Sequence, residues 1–296
     1  MSAYSYEKAD AFTAPGSLGN PAACLYLHGN QRLSNAQMQE IATAHKGFVS
    51  EVVYCREIDQ TTYSLRYFSS ECEVDFCGHG TIACMYNLIA TSPGLRDKSV
   101  ITIQTKNATL SVYNRIATDN AVYVTAPEPA YNKVVVETAQ IAAVLGVDLD
   151  LLDTAYPISL INAGLNTLIV PVVTLEAEVN MFPDEPTLKA FCIRNAIDIV
   201  LTYCLAVRDD RHIAHTRVFA AKFGYLEDPA TGSGNSAFGY YLLQNNLWGG
   251  DSIAIEQGGR DRAYNTVRLT CQDGRVLFGG SSTTRIRGEY LLEGPK

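Results

Sequence analysis

A basic surplus is missing from this chain. Lys and Arg number 23 against 31 Asp and Glu, a formal net charge of −8, and no dense basic stripe runs through it. Nucleic-acid binders carry such a surplus or stripe, so no nucleic-acid partner is expected. No apolar run approaches the length of a membrane span, and no membrane partner is expected either. The opening MSAYSYEKADAF lacks a basic stretch followed by an apolar one, so no signal peptide is expected. Low-complexity segments and long flexible linkers are absent too. With 22 Gly, 11 Pro and 18% charged residues, the composition is neither collagenous nor disordered.

What remains is an ordinary globular chain of 296 residues, 47% of them hydrophobic, enough to bury the core of one or two domains. A chain with a full core does not need its eight cysteines as disulfides. Cys24, Cys204 and Cys271 fall in strand-like apolar segments, which predicts buried reduced thiols and a cytoplasmic location.

Short strand-like runs alternate with a few helices. Strands are expected at Tyr4 to Phe12, Ala22 to Leu27, Val49 to Cys55 and Thr62 to Phe68, the last with Tyr63, Leu65 and Tyr67 alternating. Ser34 and Gln37 form a capping box ahead of Met38, Ile41 and Ala42 at helical spacing, and Gly47 is expected to stop that helix. Thr81 to Leu88 reads as an apolar helix, and a β-meander follows from Val100 to Thr125. A second set comprises helices at Glu137 to Leu145, closed by Gly146, at Pro186 to Arg194 and at Ser236 to Gln244. Its strands are Ile158 to Asn162, Asn166 to Val173, Ile199 to Val207, His212 to Phe219, Ile253 to Gln257, Thr266 to Cys271 and Val276 to Phe278.

The sequence also echoes itself. Arg66-Tyr67-Phe68-Ser69 precedes Cys77-Gly78-His79-Gly80-Thr81 and a helix. Arg217-Val218-Phe219-Ala220 precedes Asp228-Pro229-Ala230-Thr231-Gly232 and another helix. Cys77 and Asp228 each follow their arginine by 11 residues, which pairs them. A duplication would set two equivalent turns face to face across a cleft, a favoured place for a small-molecule site. Gly-rich turns opening helices present free N–H groups and partial positive charge, which suits carboxylates. Asp228 before Pro229 also reads as a helix N-cap. Arg66 and Arg217 are expected to pair with acidic neighbours and hold the halves together.

Other readings of these turns fit less well. Gly232-Ser233-Gly234-Asn235-Ser236-Ala237 follows Asp-Pro rather than a strand end and lacks the βαβ context of a dinucleotide site. Cys72, Cys77, His79 and Cys84 match no common zinc spacing. No metal and no cofactor are expected.

Four stretches together resemble the phenazine-biosynthesis PhzF-like family, which shares its fold with diaminopimelate epimerase. They are Asp10-Ala11-Phe12-Thr13 with Gly19-Asn20-Pro21-Ala22-Ala23, then Ser50-Glu51, then Phe76-Cys77-Gly78-His79-Gly80-Thr81, and finally Glu227-Asp228-Pro229-Ala230-Thr231-Gly232-Ser233. The resemblance implies an α+β fold of two pseudo-symmetric halves, each a curled, barrel-like β-sheet around a central helix. Residues 1–126, joined by 280–296, would form one half and 127–279 the other, with the active site between them. It implies Glu51 as the acid–base residue, with His79, Asp228 and Ser233 completing the catalytic set. Asn20, Cys77, Gly78, Gly80, Thr81, Thr231, Gly232 and Gly234 would line the substrate.

The implied activity is a cofactor-independent isomerisation, moving a proton on a small unsaturated or cyclic carboxylic acid by general acid–base catalysis. Val49, Val52 and Val53 around Glu51 predict a desolvated carboxylate. Two alternatives stand beside it: an amino-acid racemase or epimerase using Cys77 or Glu51 with Asp228, and a non-catalytic protein that binds small acids. In the epimerase relatives two cysteines act, one per turn. Cys77 matches the first, and Asp228 is read as standing where the second would be. Gly80 stands where alanine is common, a change expected to be sterically harmless. Val52 stands where threonine is common, which would remove a hydroxyl near the base. The oligomeric state stays open, a homodimer included.

Overall fold

The computed structural model describes residues 2–259 and 263–293. Met1, residues 260–262 and residues 294–296, which fall inside the expected halves, lie outside the described residues. The chain divides into two compact units, one of Met1–Thr13, Leu18–Thr125 and Gly279–Lys296, the other of Ala14–Ser17 and Ala126–Phe278.

In the first unit, β1 (Ser2–Ala11) and β2 (Asn20–Leu27) are followed by α1 (Asn35–Ala44), β3 (Glu51–Asp59), β4 (Thr62–Ser69), β5 (Glu73–Val74) and α2 (Gly78–Thr91). Then come α3 (Pro93–Arg96), β6 (Val100–Gln104), β7 (Thr109–Arg115), α4 (Ile116–Asp119) and β8 (Ala121–Thr125). The capping box forms as expected: Ser34 Oγ accepts from the Gln37 N–H and Gln37 Oε1 from the Ser34 N–H. The helix ends at Ala44 with His45 as its cap, before Gly47 is reached.

Period-2 alternation divides the side chains of β2 and β3. Ala23, Leu25, Leu27, Val52 and Tyr54 pack with Met38, Ile41 and Ala42 of α1. The residues between them, among them Cys24, Val53 and Cys55, project to the opposite face, and α2 packs on β1, β2, β3 and β8. Apolar layers cover both faces, so β2 reads as a nearly unbroken buried run.

The second unit contains β9 (Ala130–Asn132), α5 (Thr138–Leu145), β10 (Ser159–Asn162), β11 (Asn166–Pro171), α6 (Leu175–Asn180), α7 (Glu185–Arg194), β12 (Ile199–Cys204), β13 (Ala214–Phe219), β14 (Glu227–Asp228), α8 (Gly232–Gln244), β15 (Ile253–Gln257), β16 (Asn265–Gln272) and most of β17 (Arg275–Gly280), whose last two residues belong to the first unit. Gly146 closes α5 in the left-handed conformation, φ 70°. Here α8 is the central helix, packed on β10, β11, β12 and β16. A last strand, β18 (Ser282–Leu292), belongs to the first unit and runs antiparallel to β1 from Ser2↔Leu292 to Ala11↔Ser282.

The two units share one strand plan. In the first, β2 and β3 are parallel, β4 is antiparallel to β3 and to β5, and β6 is parallel to β4. In the second, β11 and β12 are parallel, β13 is antiparallel to β12 and to β14, and β15 is parallel to β13.

The registers correct the pairing expected from the sequence. Tyr67 opposes Val74 and Phe68 opposes Glu73; Val218 opposes Asp228 and Phe219 opposes Glu227. Val74 is therefore the counterpart of Asp228. The N-caps are Cys77 for α2 and Thr231 for α8, so Thr231, not Asp228, answers Cys77. The equal spacing misleads because the second hairpin holds an extra 3₁₀ turn, Ala221–Phe223. Arg66 pairs with Glu73 at 2.8 Å and Arg217 with Glu227 at 2.7 Å, each inside its own unit, so neither joins the halves as expected.

Candidate active site

Glu51 opens β3 on the same face as Val53 and Cys55, the face toward α2. Its Oε2 lies 3.3 Å from His79 Nε2 and 3.8 Å from Cys77 Sγ. His79, the second residue of α2, has Nδ1 3.5 Å from Cys77 Sγ and Nε2 3.3 Å from Ser50 Oγ. Cys77 is buried, and as N-cap its sulfur accepts the Gly80 N–H at 3.3 Å. Cys77 thus touches both His79 and Glu51 and is no isolated core thiol. The Glu51 and His79 side chains keep 21% and 13% exposure. The carboxylate is thus partly wet rather than withdrawn from water as expected. Glu51, Cys77 and His79 also offer ligand atoms within 4.8 Å of one another, a set able to hold a metal ion.

Two expectations about the surroundings are overturned. Val52 packs on the opposite face of β3 with Tyr54 and Phe68, so a hydroxyl there would not sit beside the Glu51 carboxylate. A Cβ at Gly80 would meet Val53 Cγ2 at 2.8 Å and Cys77 Sγ at 3.0 Å, so alanine there is not harmless. The remaining first-turn residues are braced: Thr81 Oγ1 donates to the Cys77 carbonyl at 2.8 Å and lies 2.7 Å from Tyr67 Oη. Asn20 is buried as the first residue of β2, opposite Ala11. Gly78 opens α2.

On the second unit's turn, Asp228 lies in β14 and does not cap α8. Thr231 Oγ1 donates to Asp228 Oδ2. Gln257, fully buried at the end of β15, clamps the turn. Its Oε1 accepts the Thr231 N–H at 2.9 Å and Asn235 Nδ2 at 2.7 Å, while its Nε2 donates to the Asp228 carbonyl at 2.9 Å and Thr231 Oγ1 at 3.1 Å. Asn235 Nδ2 also donates to the Thr231 carbonyl at 2.9 Å, the role Thr81 plays on α2. A Cβ at Gly232 would meet the Phe278 ring at 2.6 Å, so the turn needs glycine there, while one at Gly234 would meet Ile199 Cδ1 at 3.2 Å, a tight contact.

Counted from the caps, Cys77-Gly78-His79-Gly80-Thr81 and Thr231-Gly232-Ser233-Gly234-Asn235 match position by position. The sheet registers Tyr54↔Arg66 and Thr202↔Arg217 likewise set Glu51 against Ile199. Glu51, Cys77 and His79 of the first unit thus correspond to Ile199, Thr231 and Ser233 in the second. Gln257 went unnoticed in the sequence; its only signal is a polar residue ending an apolar strand. Ser50 stands in the sequence only as the neighbour of Glu51, and strand β3 begins after it.

The model of the family described as "Phenazine biosynthesis-like protein" matches residues 9–289. The chain belongs to this family. It is 28% identical over 255 residues, 85% of each chain, to a Bacillus subtilis protein named "Uncharacterized isomerase YfhB". The crystal structure of a Bacillus anthracis phenazine biosynthesis protein of the PhzF family is 25% identical, with a TM-score of 0.85 over 99% of this chain and 100% of that one. A probable proline racemase from Agrobacterium radiobacter shares the fold, at 13% identity and a TM-score of 0.61 over 98% of this chain and 93% of that one. Both halves show the curled-sheet and central-helix plan of this fold. Among the described residues no helix is long and apolar enough to cross a membrane.

Proposed function

We propose that the chain is a cofactor-independent isomerase that moves a proton on a small unsaturated or cyclic carboxylic acid, with Glu51 as the acid–base group. One observation carries this reading. Glu51, Cys77 and His79 converge in the first unit, whereas the matching positions of the second hold Ile199, Thr231 and Ser233, none of which titrates near neutral pH. A two-thiol racemase would want a cysteine at Thr231, and there is none. The naming of a 28%-identical relative as an isomerase supports the same class.

In the proposed step, Glu51 takes a proton from a carbon next to unsaturation, so that a C–H bond breaks and a carboxyl O–H bond forms. The electron pair shifts along the conjugated system, and the proton returns to its far end. His79 holds the carboxylate in place through the 3.3 Å contact. Asp228 and Ser233 are proposed as substrate-binding groups.

Solvent deuterium uptake tests this. The protein is incubated in D₂O with dihydro-hydroxyanthranilate, cyclohexadiene carboxylates, hydroxyprolines and common amino acids, and carbon-bound deuterium is read by mass spectrometry. Uptake into an unsaturated acid that is lost in Glu51→Gln and kept in Cys77→Ser supports the proposal. Uptake into an amino acid that Cys77→Ser abolishes points to the racemase reading, which the thiol's contacts with His79 and Glu51 favour. Uptake that survives Glu51→Gln removes Glu51 as the base.

A further inference from the structure

The second unit holds another group of the same composition, at a place the proposed reaction does not use. Glu178 stands on α6, Cys204 at the end of β12 and His215 on β13. Cys204 and His215 are direct cross-strand partners on the face that α6 covers. The Glu178 and His215 side chains have no exposure at all, and Cys204 is buried. A carboxylate oxygen, the sulfur and a ring nitrogen lie within 4.8 Å of one another, with His215 Nδ1 already 3.0 Å from Glu178 Oε2. From these positions we infer that Glu178, Cys204 and His215 form a binding site for one zinc-like divalent transition ion.

Charge and geometry argue for this. Carboxylate, thiolate and imidazole are the oxygen, sulfur and nitrogen donors that zinc accepts, and the first two together neutralise a divalent ion. With metal–ligand bonds of roughly 2.0–2.3 Å, tetrahedral ligands stand about 3.3–3.7 Å apart, so the 3.0 Å nitrogen–oxygen pair must open slightly and any pair near the 4.8 Å limit must close by about 1 Å. The surroundings hold the ligands in the manner of an outer shell. Thr202 Oγ1 donates to Glu178 Oε1 at 3.0 Å and leaves Oε2 for the ion. Arg217 Nη1 donates to the carbonyls of Glu178 and Met181 at 2.8 and 2.7 Å, fixing the end of α6.

His215 Nε2, meanwhile, is fully buried with no hydrogen-bond partner among the described residues. With Nδ1 held by Glu178, the other ring nitrogen's bonding capacity is unused in a fully buried place. Without an ion the thiol has the Ala206 carbonyl, at 3.1 Å, as its acceptor. Metal uptake therefore trades that S–H proton for the ion.

Cobalt(II) is the probe, because a cobalt–thiolate bond gives a charge-transfer absorption that carboxylate and imidazole alone do not. The full chain is stripped with chelator, then titrated with Co²⁺ both in the native state and during refolding, so that burial cannot hide the site. The expected result is one equivalent bound with the thiolate band in wild type and in Cys77→Ser. The band should be lost in Cys204→Ser, and Glu178→Gln should weaken binding at least about tenfold. Absence of a stoichiometric thiolate band in the wild type under both conditions overturns the proposal. So does a band lost in Cys77→Ser, which would place the ion on Glu51, Cys77 and His79. If Cys204→Ser does not fold, Glu178→Gln assigns the band: binding unchanged in that variant overturns the proposal.

Discussion

Three side chains concentrate the proposed chemistry, and each owes its place to a different local rule. Glu51 reaches α2 because it shares strand parity with Val53, not Val52. Cys77 is placed by being an N-cap, and His79 by lying two residues into the helix. Glu51→Gln is expected to lower the exchange rate by about 10²–10⁴-fold while leaving the melting temperature within a few degrees of wild type, which deuterium uptake and calorimetry check. Gly80→Ala forces a methyl against Val53 and Cys77, an overpacking that costs about 1–3 kcal/mol. A lower urea midpoint would register it. These residues were legible in the sequence as motif members. Their environment was not: Val52 seemed to neighbour the base because it adjoins it in sequence, and strand alternation sends it the other way.

At the scale of elements, turns and caps carry the argument. Ser34→Ala removes the first half of a formed capping box and should cost about 0.5–2 kcal/mol, read in urea unfolding. Gln257→Leu leaves the Thr231 N–H and the Asp228 carbonyl without their present partner. At about 1–3 kcal/mol for each buried group left unpaired, the same assay should show a larger loss than for Ser34→Ala. Strong alternation and cap signals made most strands and the longer helices readable. Helix α6 was missed, because its six residues are too few to show a period, and with it went Glu178. Strand β18 was not readable from its own residues, and only the family resemblance placed 280–296 with the first half. Its middle is exposed and polar, and its pairing with β1 is reinforced by Arg285 and Arg287 on the buried acids Asp10 and Glu7, each at 2.7 Å.

For the whole molecule, both units bury tyrosine in apolar layers. Burial pushes the hydroxyls of Tyr6, Tyr63 and Tyr241 up to about 12 and those of Tyr54 and Tyr203 higher still. An unfolded tyrosine ionises near about 10. Between pH 10 and 12 the unfolded chain therefore loses protons that the folded chain retains, and stability falls as pH rises through that window. Below pH 10 this contribution is fully present. Phenolate absorbance should show these groups titrating only as the chain unfolds, and a normal titration of all 17 tyrosines in the folded state would contradict it.

The sequence by itself determined the nature of most elements, the Ser34–Gln37 box, the two glycine-bearing helix starts and the family pattern around Glu51, Cys77, His79 and Asp228. The first three depend on residues within a turn or two of one another, where periodicity and hydrogen-bonding capacity act directly, and the family pattern is a set of such short stretches. Only the tertiary structure decided that Thr231 answers Cys77, that Arg66 and Arg217 each bond within their own unit, and that Glu178, Cys204 and His215 meet. Those outcomes rest on the register of paired strands and on which sheet face a helix covers, and a spacing count cannot see a register once one hairpin holds a turn that the other lacks.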